Sequence, residues 1–144
     1  MPVRRDNPYA NFNFLVEIDG LAAAGFAEVE LGGSWVDVIE YREGSDRTNA
    51  SRKLPGRAHH ANVVLRRGIA GDDALWTWFR GIRDGGVDPR AVAIVLLDEG
   101  RQPVATWRLR DAWPSRWEGP VLDAEGNDVA IETLELTHEG LELE

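Results

Sequence analysis

The sequence predicts a mainly β domain: two packed antiparallel sheets, as a barrel or sandwich, with one flanking α-helix. Three observations carry this. Apolar and polar residues alternate in many short stretches, the period-2 signature of half-buried strands. Clusters of Gly, Asp and Asn separate those stretches as turns do. Only one stretch, from Leu75 to Ile82, has helical spacing instead.

Along the chain, NFNFLVEID (11–19) places Phe12, Phe14, Val16 and Ile18 on one face, and Gly20 closes it. GFAEVEL (25–31) repeats the pattern with a slip near Ala27, and Gly32-Gly33 leads into the strand SWVDVIEY. ANVVLRR (61–67) is the next expected strand. In the helix, Leu75, Trp78, Phe79 and Ile82 share a face, Asp72 or Asp73 can cap the start, and Gly85-Gly86 ends it. Trp76 lies off that stripe, so it either widens the buried face or projects as an anchor. AVAIVLL (91–97) is apolar on both faces, as in a strand covered on both sides. DEGRQ is a turn and VATWRLR a strand, while DAWPSRWEGP reads as irregular. Trp113 and Trp117 in it read either as core plugs under a loop or as interface anchors. DAEGND is a second turn, and VAIETLELTHEGLELE a strand with a phase fault. A β-bulge near Thr133 and a turn at Gly140 are expected to explain the fault.

Between these elements, VIEYREGSDRTNASRKLPG (38–56) begins as a strand and then turns polar. From Arg42 to Lys53 it has no apolar side chain larger than alanine. Hairpin loops usually take about 2–5 residues, so this is an extended arm at about 42–57 on a single domain, 1–144. It carries Arg42, Glu43, Asp46, Arg47, Arg52 and Lys53, with Arg57 just beyond. The formal charge of −9 is unevenly placed: Trp117–Glu144 has nine acids and no Lys or Arg, while the preceding residues balance 16 acids with 16 bases. That acidity is read as a solvated surface or as a counter-surface to the arm, with Glu135, Glu139 and Glu142 as its members. It argues against specificity for nucleic acid, whose binders show a basic face. The N-terminus lacks the apolar region of a signal peptide, so synthesis and assembly are expected in the cytoplasm.

Chemistry finds little purchase. There is no cysteine, hence no disulfide or thiolate metal site. His59 and His60 point to opposite faces of an extended chain and chelate poorly, and His138 is the only other histidine. In DAEGND, Gly126 stands fourth, where an EF-hand needs it sixth. Asp98-Glu99 sits in a turn, and no phosphate loop, nucleophile elbow or dinucleotide glycine pattern is present. The expectation is no catalytic residue, no metal and no cofactor.

Several blocks resemble the inner tail-tube proteins of contractile injection systems and contractile-tailed phages. They are NPYANFNFLVEIDG with AGFAEVEL, VIEYREGSD…RKLPG, LRRGI…LWTWF, IVLLDEG, and the most specific, AWPSRWEGP followed by VAIETLELTHEGLE. GGSWVDV departs from the pattern in being less polar. The resemblance covers nearly the whole chain. It implies a tail-tube-like fold and a structural role: hexameric rings, their sheets joined into an inner barrel, stacked head to tail into a hollow tube. A contracting sheath drives that tube into a target, and cargo passes through its lumen. The implied partners are further copies, the sheath protein, and the baseplate and tube-initiator proteins. The particle is cytoplasmic, membrane-attached or released. The arm then reaches a neighbouring ring. Its charges set orientation, because exposed pairs contribute only about 0–1 kcal/mol each, and sheet edges and aromatics hold the assembly. Alternative readings are a tube-initiator or baseplate adaptor and, as a different class, a monomeric ligand-binding β-barrel. Arg108 and Arg110, or the polar neighbours of Phe12 and Phe14, are candidates to line the lumen.

Overall fold

The computed structural model describes residues 7–19, 21, 25–45, 51–69 and 71–144. The expected class is found: antiparallel sheets with one helix. The first sheet runs β1 (Phe14–Ile18), β6 (Arg90–Leu97), β7 (Pro103–Glu118) and β9 (Gly140–Leu143). The second runs from the far half of β7 to β8 (Ile131–Thr137), β5 (Val63–Gly68) and β2 (Glu28–Glu30). Their facing sides bury Val16, Ile18, Val63, Leu65, Val92, Ile94, Leu109, Leu134 and Leu136. Helix α1 (Ala74–Arg83) closes this core with Leu75 and Trp78. Strand β6 lies between β1 and β7 with Val92, Ala93, Ile94 and Val95 all buried, as its two-sided apolar run requires.

β7 corrects the reading of DAWPSRWEGP as irregular. It is one strand of 16 residues that pairs with β6 and β9 through its first half and with β8 through its second. Two extra residues let it change sheets. Arg110 and Asp111 stand against Ala91 alone, with Asp111 at φ 51°, and Ser115 is extra against β8, beside a buried Pro114. Asp is among the few residues that enter the left-handed region at modest cost, and proline within a sheet is found at such bulges. The Trp-Pro-Ser-Arg-Trp signal was a strand bending, not ending.

β8 corrects the second expectation. No bulge falls at Thr133: β8 keeps a continuous register against β5, and the register shift against it lies in β7 at Ser115. Its inward residues are Glu132, Leu134 and Leu136, in strict alternation. The apparent fault arose because the inward position before Leu134 is a carboxylate. The second break is at the turn that opens β9 at Gly140.

At the helix start, Asp73 holds the N-cap position without a side-chain bond, whereas Asp72 Oδ1 accepts the Ala74 N–H at 3.1 Å. The helix ends as expected: Gly85 adopts φ 99°, Gly86 N–H donates to Gly81 O at 2.8 Å and Gly85 N–H to Ile82 O at 3.1 Å. Among the described residues no helix is long and apolar enough to cross a membrane.

The polar arm is the outer part of a larger element. β3 (Ser34–Tyr41) pairs with β4 (Arg52–His60) as a separate two-stranded sheet, so Arg52–Arg57 are strand and the hairpin begins at Ser34.

Candidate functional site

Trp35, Val36, Val38, Ile39 and Tyr41 are strong strand formers, yet every residue of β3 is exposed. On one face of the hairpin, Trp35 stacks on His59 with ring centroids 5.2 Å apart, and His59 Nε2 lies 2.8 Å from Asp37 Oδ2. Farther along that face Ile39 stands across from Leu54, and Tyr41 across from Arg52. The opposite face carries Val36 against Ala58 and Val38 against Pro55. Gly56 and Arg57 together face Asp37, and Ile39 Cδ1 would lie 3.0 Å from any Cβ at Gly56, so glycine lets the isoleucine lie flat on the ribbon.

A ribbon with apolar residues on both faces is poorly suited to water. Isolated two-stranded hairpins are marginal, and contiguous exposed apolar surface marks an interaction site. The body holds it at its base. Ala61 N–H donates to Gly33 O at 2.8 Å, His138 Nε2 donates to Ala61 O at 3.0 Å, and the His60 and His138 rings sit 5.6 Å apart. His60 Nδ1 meets Ser34 Oγ at 2.8 Å, so the two adjacent histidines do serve opposite faces. Of the predicted arm residues, Arg52, Lys53 and Arg57 are exposed on β4. Arg42 follows β3, and Glu43 accepts the Tyr41 hydroxyl at 3.2 Å. Asp46 and Arg47 lie outside the described residues.

Beneath the helix lies a charge network that the sequence reading missed. Arg67 and Glu132 are 5% and 4% exposed. Arg67 Nε donates to Glu132 Oε1 at 2.7 Å, and its Nη2 donates to Asp72 Oδ1 at 2.6 Å. Trp117 Nε1 donates to Glu132 Oε2 at 3.4 Å, and the Trp117 ring meets Trp76 edge-on at 4.8 Å. Trp76 also touches Phe79 and lies under the Arg83 guanidinium. Trp76 and Trp117 therefore widen the helix's buried face, whereas Trp113 is 36% exposed beside Val87 and Pro89. Burial opposes the charge on Arg67, but its bonds to Glu132 and Asp72 outweigh that and raise its pKa above the ordinary value.

The Ala74 N–H, and then Arg67, hold the Asp72 carboxyl below its usual value. A lowered carboxyl stabilises the fold above the unfolded-state value of about 3.9, and that contribution disappears as pH falls through the lowered one. Asp72→Asn is therefore expected to be less stable than the parent near neutral pH, with the two converging in acid. Urea titrations across pH check this, and a stability gap that does not narrow as pH falls through and below the unfolded-state value would disprove it.

The first sheet offers a third feature. Its core-facing side is covered by the second sheet; across its other side run Glu17, Ala93, Arg108 and Glu142 on four adjacent strands. Arg108 Nε lies 3.0 Å from Glu144 Oε1, and Arg110 Nη2 donates to Glu139 O at 3.0 Å. Its edge strands, β1 and β9, each pair on one side only among the described residues. The three acids expected to form one counter-surface lie on three successive elements. Glu135 on β8 accepts from Asn62 Nδ2 at 2.8 Å, Glu139 lies in the β8–β9 turn, and Glu142 is on β9.

Residues 10–142 match the family model described as T4-like virus tail tube protein gp19. Among solved structures, a chain from the anti-feeding prophage (AFP) baseplate superposes with a TM-score of 0.84 at 29% identity, covering 96% of this chain and 97% of that one. A chain from the sheath–tube complex of an extracellular contractile injection system, PVC, in the extended state gives 0.86 at 26% identity, covering 96% and 93%. Hcp1 from Flavobacterium johnsoniae shares the fold at 10% identity and a TM-score of 0.61, covering 92% and 94%. No curated protein matches the chain significantly.

Proposed function

We propose, given that this chain belongs to the family of T4-like virus tail tube proteins, that it is the main inner-tube subunit of a contractile injection system. Copies form hexameric rings, and the rings stack head to tail into a hollow tube that a contracting sheath drives into a target. The observation that carries this is the β3–β4 hairpin: apolar on both faces, fully exposed along β3 and bonded to the body at its base. Such a ribbon needs a covering partner, and in a stack of rings the next copy supplies it.

The open edges of β1 and β9 support the ring in the same way, since an unpaired edge is a template for another strand. Joining β1 of one copy to β9 of the next closes the first sheets into a barrel. Each copy's body covers the outer side of that barrel, so Glu17, Arg108, Arg110 and Glu142 line the lumen and face the cargo. Sheath and baseplate proteins are the remaining partners, and no catalysis is assigned.

The adaptor or tube-initiator reading stands second, because one well-matched structure is of a baseplate. Electron microscopy of the purified protein, alone and with sheath and baseplate proteins, separates them. Long uniform tubes are expected, and single rings that never stack would favour the adaptor. A species of 16.0 kDa by light scattering under every condition would exclude both.

A further inference from the structure

Resting on that tube reading, we propose that the arm of each subunit docks on the loop 119–130 of a subunit in the next ring. Head-to-tail stacking needs two different patches at opposite ends of the molecule. The hairpin leaves the body where β5 starts and β8 ends, at Ala61, Val63 and His138. Loop 119–130 joins β7 to β8 at the other end of the same strands, where Gly68 pairs with Ile131 and Ile69 N–H donates to Ala130 O. The six residues of β5 put roughly 17 Å between those ends.

The two patches also match in chemistry. The loop exposes Val121, Leu122 and Val129 at 93%, 82% and 71%. Interspersed are Asp123, Glu125 and Asp128, and Asp123 folds a turn by accepting the Gly126 N–H at 3.0 Å and, through Oδ1, the Glu125 N–H at 3.0 Å. Beside it opens a groove that Glu118 also lines. The one arginine there, Arg66, is engaged by Glu28 and Glu30. The arm presents the complement on one face: Ile39 and Leu54 exposed between Arg52 and Arg57, with Lys53 across from Glu40 on the other face. Glu135 and Glu139 stand at the arm's own end, so a head-to-tail contact does not bring them to it. Apolar contact supplies affinity and the charges select this loop over other surfaces.

The absence of native cysteine makes the test clean. Tubes of a Leu54→Cys/Leu122→Cys variant, oxidised and run without reductant, are expected to give a ladder of covalent multimers, with each single variant giving none. Asp123→Lys with Asp128→Lys is expected to abolish tubes at low salt, and adding Arg52→Glu and Arg57→Glu to restore them. Tubes that form without a ladder, or a cross-link from Leu122→Cys to the sheath protein, would overturn the contact alone. A parent chain that forms no tubes under any condition would overturn the tube reading together with it.

Discussion

Glu132→Ala is expected to destabilise the folded subunit by about 3–5 kcal/mol, the range for breaking a buried ion pair from one side. With its main partner gone, Arg67 remains 5% exposed among apolar neighbours, and Asp72, largely in water, cannot replace the lost contact. Trp117 loses its acceptor as well. At this chain length the change lowers the midpoint of thermal unfolding by about 10–20 °C. Circular dichroism of dilute, unassembled protein is the measurement. The network makes a sharper statement in combination: Arg67→Met with Glu132→Leu together should recover most of the loss, because matched apolar replacements of buried pairs are often neutral or better. A single variant that costs less than about 1 kcal/mol would place the pair with ordinary surface contacts.

The second large effect is on assembly and leaves the subunit intact. Ile39→Asp with Leu54→Asp places two charges on a hairpin face that is exposed in the single chain. Substitutions at such positions change monomer stability by only about 0.5 kcal/mol. On the proposed stacking each of these side chains becomes buried, and burying one contributes about 1.5–3 kcal/mol. Loss of both weakens each ring-to-ring contact by roughly 10²–10⁴-fold. Microscopy should then show rings without tubes, with an unchanged unfolding curve. Normal tubes from this variant would mean that the exposed ribbon is not the stacking element.

The sequence carried the class of fold well because its strongest signals were local. The helix stripe, the two-sided apolar run of β6 and the turn at Asp98–Gln102 each depend on neighbours a few residues away. The errors share one cause, which is that distant partners change what a residue means. Glu132 looked like a break in the β8 alternation because its partner, Arg67, lies on another strand. An inward acid flanked by alternating leucines, with arginine on a strand that could pair with it, was the available clue. Pro114 and the two tryptophans around it disguised a continuous strand, since only pairing with both β6 and β8 shows that the chain keeps going. In the arm, Arg52–Arg57 looked like a loop because β4 has no buried face within its own chain to impose alternation. The aromatic and branched residues of β3 were legible as strand, but their exposure was not. Periodicity assumes a core, and the exposed ribbon of β3 and β4 has none within its own chain.

β7 has a mechanical consequence. Because one covalent strand belongs to both sheets, they cannot slide past one another as independent plates. Shear between them must turn the backbone at the Asp111 kink and disturb the ladders that β7 forms with β6, β9 and β8 on either side of it. A thrust applied to one sheet is thus delivered to the other along a single strut, and the domain takes compression as one rigid piece.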